Sequence, residues 1–235
     1  MQLDAGQLAE FYESPLGQTA RRLIVRRIRP LWPQLKGLRV LGYGFAAPYL
    51  RPYLGEAERV VALMPAQTGV VAWPAEHPLS ALGEEDALPF ADAVFDRILV
   101  IHGLEGAETV RALLRQLWRV LAPEGRLLVV APNRTSLWAQ LERSPFACGR
   151  PFRKGELAHL LRDTLFEPVH FDHALFMPPF KGRLVRLSAN WEKLGRRLMP
   201  GTAGVLLVEA QKSLYALIPE GGKRQTVAIL STARR

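Results

Sequence analysis

The chain has 235 residues, 49% of them apolar, with 31 Lys plus Arg against 22 Asp plus Glu and a formal charge of +9. That length suits one α/β domain with modest additions, and that apolar content excludes a chain disordered throughout. No apolar run approaches the roughly 18–20 residues of a membrane helix. Met1-Gln2-Leu3-Asp4 lacks the basic-then-apolar pattern of an export signal. The lone Cys148 rules out an intrachain disulfide framework and argues against a cysteine zinc site, so the expected compartment is cytoplasmic.

In chain order, residues 8–12 and 16–32 read as helices. In the second, Leu23, Ile24 and Ile28 share one side and arginines the other, an amphipathic pattern that Pro30 and Pro33 should end. A strand over 38–42 runs into the small-residue turn Gly42-Tyr43-Gly44-Phe45-Ala46-Ala47-Pro48 and a short helix over 47–54, whose first turn tolerates Pro48. Strands follow at 59–64, near 79–82 and at 94–102. Residues 109–121 form a helix with Val110, Leu113, Leu114, Leu117, Val120 and Leu121 at helical spacing. Ala122-Pro123-Glu124-Gly125 is a turn, and the almost continuous apolar run 126–131 predicts a central parallel strand covered on both faces. A helix at 154–164 and strands at 166–174 and 203–211 complete the alternation. It predicts an α/β, doubly wound, mostly parallel seven-stranded sheet with helices on both faces.

The expected organisation is an N-terminal helical extension over 1–36, one domain over 37–215 with insertions at 133–152 and 177–200, and a C-terminal tail over 216–235, frayed or partly ordered from Gly221. Basic residues cluster at Arg21, Arg22, Arg26, Arg27 and Arg29, at Arg150, Arg153 and Lys154, and at Lys181, Arg183, Arg186, Lys193, Arg196 and Arg197. Such clusters fit RNA or another polyanion as partner, or simply solvated helix faces in an arginine-rich chain.

In doubly wound proteins the first strand–turn–helix corner receives a nucleotide-like cofactor, because small residues let the backbone approach it closely. The residues that identify this corner further are Glu85-Asp86-Ala87-Leu88-Pro89-Phe90-Ala91-Asp92-Ala93-Val94-Phe95-Asp96 and Arg119-Val120-Leu121-Ala122-Pro123-Glu124-Gly125-Arg126-Leu127. They resemble the D-x-L-P-F-x-D-x-x-F-D and R-V-L-x-P-G-G-x-L stretches of class I S-adenosylmethionine-dependent methyltransferases, with the type 11 or ubiquinone-biosynthesis-like subgroup nearest. The resemblance covers about residues 37–175.

The resemblance implies S-adenosylmethionine as cofactor. Gly42, Tyr43, Gly44 and Ala46 would pass close to its methionine part. Asp86 and Ala87 by residue type, or Glu84 by spacing, would meet the adenine. His102 would lie at the floor of the reaction pocket, and Met64 would stand where the family's ribose-binding acid ends the second strand. Two family acids are replaced here, by Gly42 and by Met64; Tyr43, Gln67 or the N-terminal helix are the groups available in their stead.

Asn133 and Arg134, at the end of a central strand, and Arg150, in the loop Ser144-Pro145-Phe146-Ala147-Cys148-Gly149-Arg150-Pro151-Phe152, are the expected substrate contacts. Trp138 and Phe146 read as core, and Cys148 has no base paired with it in sequence. A little-characterised bacterial subgroup shares this loop, the F-Y-x-x-P-L-G start at Phe11–Gly17 and the M-P-A at Met64–Ala66.

Two function classes follow. One is a methyltransferase acting on an unidentified acceptor, RNA, protein or a small molecule. The other is a degenerate or partner-dependent relative acting through protein binding, including a small zinc-ribbon activator of the kind some class I methyltransferases need. A dinucleotide-dependent dehydrogenase fits less well, since the glycine turn is incomplete for a pyrophosphate and the ribose acid is absent.

Overall fold

The computed structural model describes residues 3–141, 144–179 and 188–213. Seven strands form one sheet in the order β3-β2-β1-β4-β5-β7-β6. They are β1 (Arg39–Gly44), β2 (Arg59–Pro65), β3 (Ser80–Gly83), β4 (Phe95–Ile101), β5 (Leu121–Pro132), β6 (Phe166–Ala174) and β7 (Val205–Lys212). The β1–β2, β1–β4, β2–β3 and β4–β5 pairings are parallel, and β7 runs antiparallel between β5 and β6. This is the expected mostly parallel, doubly wound sheet.

Strand alternation divides the core into two layers. Val40, Ala62, Met64, Leu99, Ile101, Leu128, Val130 and Leu207 face α1 (Ala5–Glu13), α2 (Pro15–Leu31) and α3 (Ala47–Leu50). Leu41, Tyr43, Leu63, Ile98, Val100, Leu127, Val129 and Val208 face α4 (Val110–Val120) and α6 (Lys154–Asp163). Helix α4 buries Leu113, Leu114, Leu117 and Val120, each side chain worth about 1.5–3 kcal/mol by area. Trp32, just past α2, donates from Nε1 to Glu209 on β7 at 3.0 Å and so ties the N-terminal helices to the far half of the sheet.

The N-terminal pair is built locally. Asp4 caps α1 in a reciprocal box with Gln7, and Ser14 caps α2 by accepting from the Gly17 N–H at 3.1 Å. A Cβ on Gly17 would run into the carbonyl of Phe11, so glycine is what lets α2 fold back on α1. Pro30 does not end α2, which continues to Leu31: so near the end, the clash of its ring with the preceding turn is confined to the last turn. The expected turn at 122–125 is a break in register inside β5, between the Phe95–Leu121 and Arg97–Arg126 pairs. The helix expected over 47–54 is α3 followed by a tighter turn at Arg51–Tyr53. Helices α5 (Leu137–Gln140) and α7 (Ser188–Leu198) occupy the two insertions. Residues 180–187 of the second insertion and the whole tail over 216–235 lie outside the described residues.

Arg119 connects the two sequence motifs physically. Its Nη1 donates to the Phe90 carbonyl and to Asp92, both at 2.8 Å, and its Nη2 to the Leu88 carbonyl at 2.9 Å. A planar fork fits this set, and a lysine point charge does not. Arg119→Lys should lower unfolding stability by roughly 1–3 kcal/mol in a urea titration; an unchanged midpoint would contradict the clamp.

Candidate functional site

The carboxyl ends of β1, β2 and β4 converge under α1. Gly44 has φ +79°, and a Cβ there would strike the Ile101 carbonyl and the backbone of His102 and Gly103. The β1 turn is thus pressed onto the end of β4, held by the Phe45 N–H donating to the Ile101 carbonyl at 2.7 Å. A Cβ on Gly42 would lie 2.5 Å from Leu50 Cδ1 and 2.7 Å from Ala46 Cβ. The space an acid would need at Gly42 is therefore filled by α3. Met64 is 1% exposed and packed in the same layer.

Above this turn lies a continuous hydrogen-bonded chain. The Tyr49 hydroxyl donates to the Tyr12 oxygen at 2.8 Å, Tyr12 meets His102 Nε2 at 2.8 Å, and His102 Nδ1 meets Glu105 Oε1 at 3.2 Å. A carboxylate oxygen only accepts, so Nδ1 carries the imidazole hydrogen. In the neutral ring Nε2 then accepts from Tyr12. Burial raises the Tyr12 phenol well above its usual range, with Tyr49 and Glu105 adding to the shift, and burial raises Tyr49 likewise; both remain protonated donors. The Tyr12 ring stacks on Phe45 at 5.8 Å and 10°, and Phe146 lies 4.7 Å from His102. His102 itself has φ +52°, an uncommon conformation for a non-glycine residue and one that recurs at functional sites.

Beside this chain is a cavity of about 200 Å³ lined by Leu3, Leu8, Thr68, His102, Glu105 and the 145–149 loop. Glu105 is 7% exposed, and its Oε2 has no hydrogen-bond partner. The loop fixes Glu105 from behind: the Arg150 N–H donates to the Glu105 carbonyl at 2.7 Å, and Gly149, at φ +77°, sits against it where a Cβ would clash.

The other expected contacts are placed as follows. The Tyr43 side chain enters the α4-side layer, where its buried hydroxyl has no partner. Asp86 and Ala87 are exposed on the turn closed by the Glu84–Ala87 bridge. Of the three neighbouring acids it is Glu85 that is buried, and its Oε2 accepts from the Glu108 N–H at 3.0 Å, just before α4; burial raises its pKa. Asn133 spends its amide on the carbonyls of Gly201 and Ala203, at 3.0 and 2.8 Å, and its oxygen on Thr135. Arg134 donates to the Pro151 carbonyl and to Glu156, and the exposed Arg150 side chain also reaches Glu156. Asn133 thus fastens the segment before β7, while Arg134 and Arg150 brace the 144–152 loop against α6. Trp138 and Phe146 are core, each 1% exposed. Gln67 is exposed, while its neighbour Thr68 lines the cavity.

Sequence reasoning did not single out Tyr12, Tyr49 or Glu105. The F-Y-x-x-P-L-G start contained the signal for Tyr12, and the three-residue spacing from His102 contained that for Glu105. Among the described residues no group of His, Cys, Asp and Glu is arranged to hold a metal, and no helix is long and apolar enough to cross a membrane.

Tyr12→Phe strands the Tyr49 donor and His102 Nε2 together. Thermal and urea unfolding should show a loss of roughly 1–3 kcal/mol, whereas an exposed, non-bridging tyrosine would show almost none.

Comparison with known proteins agrees with the fold. Residues 40–129 match the methyltransferase domain family. The ubiquinone/menaquinone biosynthesis C-methyltransferase of Klebsiella pneumoniae is 49% identical over 45 residues, 19% of this chain and 18% of that protein. The demethylmenaquinone methyltransferase of Mycolicibacterium paratuberculosis is 45% identical over 47 residues, 20% of each. The aligned stretch thus spans about a fifth of these relatives. An S-adenosylmethionine-dependent methyltransferase from Thermotoga maritima superposes with TM-score 0.63 at 17% identity, covering 88% of this chain and 95% of that one. A Haloferax volcanii methyltransferase, solved in complex with the Trm112 activator, superposes with TM-score 0.65 at 15% identity, covering 89% and 96%.

Proposed function

We propose that the chain, which has the class I S-adenosylmethionine-dependent methyltransferase fold and matches the methyltransferase domain family over residues 40–129, transfers a methyl group from this cofactor to an acceptor in the crevice beneath α1. The observation that carries the reading is the cavity at the ends of β2 and β4, lined by Thr68, His102 and Glu105, with the buried Oε2 of Glu105 left without a partner beside it. A carboxylate oxygen suits the cationic end of the cofactor. The cavity of about 200 Å³ is below the roughly 300–1,000 Å³ usual for ligand sites. Admission of the nucleoside therefore requires α1, with Leu3, Leu8 and Tyr12, to shift away from His102.

When bound, S-adenosylmethionine supplies an electrophilic methyl group. Methyl transfer from a sulfonium is an in-line displacement that depends on placement and on exclusion of water. The glycine turn lets the backbone approach the cofactor, while Tyr12, Phe45 and Phe146 pack as an aromatic cluster against His102. His102 stands at the floor, its ring oriented by Glu105. Titration calorimetry should show S-adenosylmethionine binding in the micromolar range and no binding of NAD. The reverse preference would overturn the assignment.

The small size of the cavity favours a second reading, in which the site widens only when a protein partner holds α1 away. The Haloferax volcanii neighbour is a methyltransferase seen with a protein activator, which supports partner dependence as a mode for this fold. Binding only after co-purification with a partner, a zinc-ribbon protein among the possibilities, distinguishes this case.

A polyanionic acceptor, RNA before others, is supported by the surface of α2. Arg27 and Arg29 are paired with Asp172 and Glu56, but Arg21, Arg22, Arg26 and Arg51 have no ion pair among the described residues. These four arginines line one groove of about 440 Å³ with Pro48 and Pro52. Single-stranded RNA should bind with a log affinity that falls against log salt with a slope of roughly −3, about 0.7 for each phosphate neutralised. A flat salt response removes RNA from the proposal. All of this chemistry is assigned to the cytoplasm.

A further inference from the structure

The family's acidic clasps are missing at Gly42 and Met64, and packing disfavours an acid at both, by crowding at the first and by apolar burial at the second. Leu50 and Ala46 crowd Gly42, and Met64 is buried in the layer beneath α1 and α2. A carboxylate does stand at the crevice, on the loop after β4. We infer that Glu105 supplies the relocated negative group that receives the α-ammonium of the cofactor's amino acid end, so that a residue after β4 does the work of the acids absent from β1 and β2. The inference rests on the methyltransferase reading above and names a residue that the reading leaves open.

Independent observations converge on Glu105. It is 7% exposed, yet only one of its carboxylate oxygens is engaged: Oε1 meets His102 Nδ1 at 3.2 Å, while Oε2 has no partner. A buried carboxylate oxygen without a donor is costly, and its retention points to a ligand that provides one. The residue lines the cavity together with His102 and Thr68, which come from the ends of β4 and β2. Its backbone is anchored by the Arg150 N–H and by the close approach of Gly149. The 144–152 loop therefore has a physical role in this site, to hold the Glu105 backbone in place. His102 acts as a positioning residue: its ring hydrogen fixes one carboxylate oxygen and leaves the other for the ligand. An ammonium donates three hydrogens and carries the complementary charge, so it satisfies Oε2 better than a neutral hydroxyl.

The experiment is a thermodynamic cycle by titration calorimetry. Wild type and Glu105→Gln are each titrated with S-adenosylhomocysteine, with its analogue bearing hydrogen in place of the α-amine, and with 5′-methylthioadenosine, which lacks the amino acid part altogether. Wild type should prefer S-adenosylhomocysteine over the deaminated analogue by about ten-fold or more, the range of a charge-assisted hydrogen bond. Glu105→Gln should abolish that preference and leave 5′-methylthioadenosine unchanged within about two-fold. Equal losses for all three ligands would mark Glu105 as structural and overturn the inference while sparing the methyltransferase reading. A wild-type protein indifferent to the amine overturns the inference as well, without any need for the variant to fold. Failure of wild type to bind any of the three, both alone and after co-purification with a partner, would overturn the methyltransferase reading itself, and the role of Glu105 with it.

Discussion

The hydrogen bond between Tyr12 and His102 joins the parts of this molecule that matter for its chemistry. One partner sits on the first helix and the other at the end of β4, against the glycine turn of β1. Because Tyr12 also accepts from Tyr49 and His102 also donates to Glu105, the bond lies inside a chain with a single direction. Such a chain is stable when complete and costly when broken at any link. It fixes α1 against the end of β4 and engages one oxygen of Glu105.

Packing and chemistry are consequently hard to separate here. Gly44 is required by a left-handed backbone pressed onto β4, and the same absence of a side chain permits a ligand's close approach. Gly42 is required by α3, which has settled where an acid would project. Loss of the β1 acid thus follows from a repacked corner. With that space occupied, the carboxylate at the crevice is that of Glu105, on the loop after β4, with one oxygen on His102 and the other without a partner. Arg119 shows the same economy in the scaffold, since one guanidinium clamps the Leu88–Asp92 stretch that leads from β3 toward β4.

Much of the fold was legible in the sequence. The continuous apolar runs of β4 and β5, the helical spacing in α4 and the two ordered motifs gave the sheet and its sense, because strand alternation and helix periodicity follow directly from burial. Boundaries were less legible: Pro30 sits within the last turn of α2, and the turn before Arg126 is a bulge in β5. Of the proposed site, only the close packing of the β1 turn was legible, from its glycines. Glu85, Glu84 and Asp86 look alike as letters, and only the three-dimensional placement shows that Glu85 turns inward to the start of α4. Asn133 and Arg134 looked like substrate contacts because they end a central strand, yet their polar groups meet the backbone of neighbouring loops, a pairing no local pattern announces. Tyr12 and His102 are 90 residues apart in the chain, so their meeting follows from the fold as a whole.

The central claim is that the crevice between the β1 turn and the β4 loop receives the cofactor beneath a displaced first helix. A crystal structure determined in the presence of S-adenosylhomocysteine tests it most directly. The account predicts the ligand's amine within hydrogen-bond distance of Glu105, with Tyr12 withdrawn from His102. Density for the ligand elsewhere, or an empty crevice with the Tyr12–His102 bond intact at saturating ligand, would contradict it.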